Sequence, residues 1–301
     1  MECAFVTLDV FTDRVFGGNP LAVVLDGQLL SDAQMQSVAR EFNLSETTFV
    51  LPPTDGRSTH RVRIFTPMTE LKFAGHPTLG TAVALALRDE ATQDQYHYTF
   101  EEGIGVVPVS VFRSGSDILS AKLSVAQLPI QLEQHISQSA WAEILSLDIG
   151  TFDQEKDTAE LWSCGTPFSF VQLNSLADLD RASVNMSAWQ HYLSDRQTSG
   201  VFVFTTETKE QGIDVRARMF APAHGIPEDP ATGSAVAALA GWLVDHEPAA
   251  DGEKTWTIAQ GVEMGRSSLL RLEADIKGGG ITGVRVGGCA VPVSRGVIKV
   301  F

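Results

Sequence analysis

The chain has 301 residues, 44% of them apolar and 20% charged, the balance of a soluble globular protein with room for two domains. Its net charge of −15, from 37 acids against 22 bases, argues against a nucleic-acid partner, whose phosphates need a basic stripe. No run approaches the ~20 apolar residues of a membrane-crossing helix, so no membrane association is expected. A small anionic ligand stays open, because one local donor pocket can overcome a weak, screened global field.

Taken in chain order, the start lacks a basic segment followed by an apolar core and reads as a strand rather than a secretion signal. Phe5 to Val10 and Leu21 to Leu25 have strand character. Ser31-Asp-Ala-Gln34 predicts a capping box, and Met35, Val38, Ala39 and Phe42 follow at helical spacing. Thr47 to Leu51 and Arg61 to Phe65 read as strands again.

Next, the chain resembles itself. Arg61-Val-Arg-Ile-Phe-Thr-Pro67 matches Arg216-Ala-Arg-Met-Phe-Ala-Pro222. Pro77 with Gly80-Thr-Ala-Val-Ala84 matches Pro230 with Gly233-Ser-Ala-Val-Ala237, across a single two-residue gap. Each copy reads as strand, loop and a helix with proline at its first position. A duplicated unit, one copy per α/β lobe, is the reading that follows. The boundary is expected near residues 115–130, around Arg113 to Asp117 or just after the following strand, and is drawn at 120/121. The lobes are then 1–120 and 121–301, and the last strand, Val291 to Phe301, is free to pair with either.

Gly75-His76-Pro77-Thr78 opens one helix of the repeat and Asp229-Pro230-Ala231-Thr232-Gly233-Ser234 the other. Helix starts present unpaired N–H groups and the positive end of the dipole, and small residues there let a ligand approach the backbone. Placed face to face by the duplication, the two starts would suit a carboxylate in one cleft. The bland alternative makes Asp229 an N-cap and the glycines mere turn residues. Two glycine-rich outlines are decoys: Thr81 stands where a P-loop lysine belongs, and Gly278 to Gly283 runs on into the strand Val284-Arg-Val286. No nucleotide is expected.

Cys3, Cys164 and Cys289 are odd in number and far apart, and the seven histidines show no paired spacing. They suit a reducing cytoplasm and predict neither a disulfide framework nor a structural metal. Arg63 and Arg218 occupy matching strand positions and are expected to pair with acids or face solvent. Core packing is the expectation for Trp141, Trp162, Trp189, Trp242 and Trp256.

Phe16-Gly-Gly-Asn-Pro20, Ala39-Arg-Glu-Phe-Asn-Leu-Ser-Glu-Thr47, Gly75-His-Pro-Thr78, Asp229-Pro-Ala-Thr-Gly-Ser234, and Gln260-Gly261 with Gly265-Arg266 together resemble the signature of the PhzF (phenazine biosynthesis) family. The resemblance covers nearly the whole chain; Ser267 departs from it where a proline is frequent. It implies a diaminopimelate epimerase-like α+β fold of two pseudo-symmetric lobes, each a mostly antiparallel sheet wrapped around a central helix. It also implies a cofactor-independent isomerase like that acting on trans-2,3-dihydro-3-hydroxyanthranilate, and a homodimer. By motif, Glu46 takes the acid/base role, and Gly75, His76, Asp229, Gly233 and Ser234 line the substrate site, with no cofactor and no metal.

Physical reasoning separates the acids independently. A helix dipole at Asp229 favours its charged form. Glu46, flanked by Leu44 and Phe49 after the 32–42 helix, is expected to be buried and poised to accept and return a proton. His76 beside a helix start is expected to be neutral. Two other readings compete: an amino-acid racemase or epimerase, which would need opposed cysteines at the helix starts, and a non-catalytic small-molecule-binding protein.

Overall fold

The computed structural model describes residues 2–89, 93–114, 118–153, 159–194, 197–198, 200–247 and 250–300, and shows a mixed α/β fold. Among these residues no helix is long and apolar enough to cross a membrane. The chain divides into two compact units, Met1–Ser124 with Val286–Phe301, and Val125–Arg285. The division falls four residues after the drawn 120/121 and within 115–130, at the end of the strand that follows residues 115–117. Residues 115–117 of the other expected boundary segment lie outside the described residues.

The first unit holds β1 (Glu2–Val10), β2 (Asn19–Val24), α1 (Asp32–Phe42), β3 (Glu46–Leu51), β4 (His60–Phe65), β5 (Glu70–Leu71), α2 (Gly75–Arg88), β6 (Gln95–Glu102), β7 (Gly105–Ser114) and β8 (Ile118–Ser124). The capping box forms as the sequence predicts, with Ser31 and Gln34 each satisfying the other's backbone N–H. Asn43 ends α1 in the left-handed region at φ 51°, so the chain turns directly into β3. Met35, Val38 and Ala39 of α1 are buried in a core with Phe49 and Phe65.

The second unit holds β9 (Ile130–Leu132), α3 (Gln138–Leu145), β10 (Ala159–Ser163), β11 (Pro167–Gln172), α4 (Leu176–Arg181), α5 (Met186–Leu193), β12 (Val201–Thr205), β13 (Val215–Ala221), β14 (Ile226–Asp229), α6 (Gly233–His246), β15 (Gly252–Gln260), β16 (Ser268–Lys277) and β17 (Gly280–Lys299), the last of which enters the first unit at Val286. There it pairs antiparallel with β1, from Val10↔Ala290 to Glu2↔Lys299. Gly278 and Gly279, both at positive φ, form the turn between β16 and β17, which accounts for the glycine-rich decoy as a hairpin.

The internal repeat extends well beyond its sequence signature. In the first unit β1–β2 is antiparallel, β2–β3 parallel, β3–β4 antiparallel, β4–β6 parallel and β6–β7 antiparallel. In the second, β10–β11, β11–β12, β12–β13, β13–β15 and β15–β16 follow the same order of senses. Each unit also has one 14-residue helix, α2 or α6, with 11 residues buried. A helix apolar around its whole circumference belongs inside its strands. Gly80 shows how closely α2 packs: a Cβ there would lie 2.5 Å from Leu21 and 2.7 Å from Val10 side-chain carbons.

The two repeat arginines match in detail. Arg63 grips Glu70 with both ends of its guanidinium at 2.7 Å, bonds Asp32, and lies 5.1 Å over Phe65. Arg218 grips Glu228 at 2.8 Å on both ends and lies 5.0 Å over Phe220. Its third nitrogen also takes the carbonyls of Leu179 and Ala182 where α4 ends. Both therefore pair with acids. All five tryptophans are buried.

One local expectation needs correction: neither helix of the repeat starts on its proline. α2 begins two residues earlier, at Gly75, leaving Pro77 third, where its missing N–H still belongs to the unpaired first turn. In the other copy the chain pairs as β14 up to Asp229, so α6 begins only at Gly233 and Pro230 stays outside it.

Candidate active site

The geometry of the first unit converges on the starts of β2, β3 and α2. Glu46 is the first residue of β3 and pairs in parallel register with Leu21, one residue after Pro20. The preceding segment is sharply bent: Phe16 is at φ 69° with its N–H donating to Asp9 Oδ2 at 2.6 Å, and Gly18 is at φ 61°. A Cβ at Gly18 would fall 2.3 Å from the Val10 carbonyl oxygen, so only glycine fits. This brings Pro20 to His76, whose ring donates to the Pro20 carbonyl. Thr48 Oγ1 and Thr81 Oγ1, 2.8 Å apart, tie β3 to the second turn of α2.

His76 Nε2 faces Glu46 Oε2 at 3.4 Å, with both residues buried. Burial is the larger influence on His76 and pushes it down to about 3 against the opposing pull of the Pro20 carbonyl. The imidazole is therefore neutral, and desolvation rather than the helix start is the main cause. A neutral ring donating its Nδ1 hydrogen to Pro20 leaves Nε2 as a bare acceptor opposite Glu46.

In the second unit, Asp229 ends β14 and is buried, four residues before the first turn of α6. It is not the N-cap: Thr232 holds that position, and its hydroxyl donates to Asp229 Oδ2. Gly233 and Ser234 are the first two helical residues, Ser234 half-buried. Gln260, fully buried, accepts from the Thr232 N–H at 3.2 Å and donates to the Asp229 carbonyl at 2.7 Å and Thr232 Oγ1 at 3.1 Å. Beside it Gly261 at φ 73° lies so close to Pro230 that a Cβ would fall 2.7 Å from its carbonyl oxygen. The structure thus brings Glu46, Gly75 and His76 together in one unit and Asp229, Gly233 and Ser234 together in the other.

Sequence reasoning gave no role to the Pro20 carbonyl, to Thr78, to Glu102 or to Gln260. The signal for Gln260 was available, since it sits within a quoted motif. Among the described residues, Glu160, Asp245 and His246 place possible metal-ligand atoms within 4.8 Å of one another. His246 already uses Nδ1 on the Trp242 carbonyl at 3.0 Å and Nε2 on Glu160 at 3.2 Å, which explains the cluster as a contact that ties the end of α6 to β10.

Residues 8–296 match the model of the phenazine biosynthesis-like PhzC-PhzF family. The chain belongs to this family. It is 39% identical over 297 residues to an uncharacterized isomerase of Mesorhizobium japonicum, covering 97% of each chain. It is 37% identical over 294 residues to trans-2,3-dihydro-3-hydroxyanthranilate isomerase of Pseudomonas aeruginosa, covering 97% of this chain and 98% of that one. The crystal structure of a Bacillus anthracis phenazine biosynthesis protein of the PhzF family shares the fold at TM-score 0.90 and 23% identity, over all of both chains. With these relatives the reaction class of this PhzF-family chain is isomerisation.

Proposed function

We propose that the protein is a cofactor-independent isomerase that moves a proton by general acid/base catalysis within a small carboxylate-bearing substrate of the trans-2,3-dihydro-3-hydroxyanthranilate kind. The observation that carries this reading is the buried Glu46–His76 contact at 3.4 Å. A carboxyl group opposite a bare imidazole nitrogen can hold a proton and release it again. Glu46 takes a proton from one atom of the substrate and gives a proton to another, exchanging with solvent between the two steps, so the catalyst ends as it began. His76 keeps the Glu46 carboxyl aimed and accepts a hydrogen bond from its protonated form. Gly75 and His76 in the first unit, and Asp229, Gly233 and Ser234 in the second, are the residues proposed for substrate binding, since a helix start offers N–H donors to a carboxylate.

Glu46→Gln keeps the shape of the side chain and removes its basicity. Turnover of trans-2,3-dihydro-3-hydroxyanthranilate should fall by about 10²–10⁴-fold, the usual share of a general acid/base. Ligand stabilisation in a thermal-shift assay should persist. Retained turnover would remove Glu46 from the mechanism. A thiol-based racemase is disfavoured by the sequence: it would need cysteines at the helix starts, and residues 75–78 and 229–234 contain none. Burial pushes the Cys164 thiol up to about 12 and raises the other two.

A further inference from the structure

Glu102, the last residue of β6, is buried, and its Oε1 lies 2.8 Å from Thr78 Oγ1 in the first turn of α2. Its Oε2 has no hydrogen-bond partner among the described residues. Thr78 Oγ1 is also 2.8 Å from the Ala74 carbonyl. A threonine hydroxyl has one hydrogen to give. Were it to go to Glu102, a buried carboxylate would stand with one oxygen bare, the costly arrangement. Given instead to Ala74, it leaves Oγ1 as an acceptor and calls for a hydrogen on Glu102.

The repeat supplies the second observation. In the first unit β4 pairs in parallel with β6 at Arg61↔Glu101, and in the second β13 pairs with β15 at Arg216↔Ala259. Arg61 and Arg216 are repeat equivalents, so the next residues, Glu102 and Gln260, correspond. Gln260 spends its amide hydrogens on Thr232 Oγ1 and the Asp229 carbonyl just before α6. The first copy thus has a carboxyl where the second uses an amide, and each reaches a threonine hydroxyl at the start of its unit's central helix. A protonated carboxyl is the closest side-chain mimic of that amide.

We propose that Glu102 is a positioning residue that acts as a carboxylic acid: its O–H donates to Thr78 Oγ1, whose hydrogen goes to Ala74, and this chain fixes the turn that presents Gly75 and His76. This deepens the isomerase reading and rests on it. Burial raises Glu102 to about 8, opposed by the Thr78 contact. Glu102 also lines a cavity of ≈ 330 Å³ with Arg61 and Arg63 of β4, Glu70 of β5, Lys72 and Glu101. Glu70 neutralises Arg63 and Glu101 lies 3.9 Å from Arg61, leaving Lys72 as the facing cation without an acid of its own among these. As pH rises through about 8 the acid ionises, the donor is lost and the turn loosens.

The sign follows from linkage. Glu102 holds its proton in the folded chain up to about 8 but releases it from the unfolded chain near 4.5, so stability falls as pH rises between those values and then levels off. Glu102→Gln should therefore gain on the parent in urea unfolding across that window and keep its gain above it. Amide exchange of Thr78 and Leu79, corrected for intrinsic rate, should quicken about tenfold in the parent between about pH 7 and pH 9.5, and stay level in Glu102→Gln. Thr78→Val should show the quickened exchange already at about pH 7, and Thr78→Ser should restore the parent. Equal quickening in the parent and Glu102→Gln, none in the parent, or a Glu102→Gln chain that cannot fold would overturn the proposal. None of these readouts uses turnover, so a failed isomerase assay and a failed brace are told apart.

Discussion

The Glu46–His76 contact depends on two side chains that the sequence could name but not join. Glu46 and His76 were singled out chiefly by the Ser-Glu-Thr and Gly-His motifs of the family resemblance, with the helix end before Glu46 and the helix start at His76 as support. Their contact was not, since it runs through the Pro20 carbonyl and a bend that only Gly18 permits. His76 leads to a test of its own. Buried neutral to about 3 while the unfolded residue takes its proton near 6.5, it costs stability as pH falls through that window. His76→Gln should flatten the acid side of the stability profile by an amount on the order of a few kcal/mol, with the difference present below about pH 6.5 and growing toward 3. Chemical unfolding at a series of pH values checks it; parallel profiles for parent and variant would show that His76 is not held neutral.

At the scale of elements, the repeat was legible in its Arg-x-Arg-x-Phe-x-Pro strand because the same side chains serve the same contacts twice. Its differing helix starts were hidden by the proline, which suits the first turn of α2 yet stands before α6 once β14 has paired with β13. The arginines' acid partners were likewise out of reach, since Glu70 and Glu228 follow at unequal distances in the chain. Here burial decides the energetics. Arg218, with a bidentate acid and helix-end carbonyls around it, should cost about 3–5 kcal/mol on substitution by Met. Arg63, whose partners Asp32 and Glu70 are largely in solvent, should cost about 1 kcal/mol. Gly80→Ala should cost about 1–3 kcal/mol by forcing α2 away from Leu21 and Val10. Urea midpoints at fixed pH rank the three, and an Arg63 variant as damaged as the Arg218 variant would contradict the burial argument.

For the whole molecule, the last strand was the feature the sequence left open, because strand pairing is settled by register across the entire chain. Its pairing with β1 and the packing of Ile298 and Val300 against the core around Phe49 predict the outcome of truncation after Arg285. Amide protection should collapse in Glu2–Val10 and α1 while β15 and β16 keep theirs; the reverse pattern would contradict the assignment. The mixed α/β class and the repeat could be read from local patterns; the partners of buried polar groups, Glu102 above all, could not. The proposed role of Glu46 as proton carrier is checked by isomerisation of trans-2,3-dihydro-3-hydroxyanthranilate in deuterated water. The parent should form product bearing solvent deuterium at the reprotonated atom, and Glu46→Gln should form neither product nor exchanged substrate. Deuterated product from Glu46→Gln at the parent's rate would contradict it.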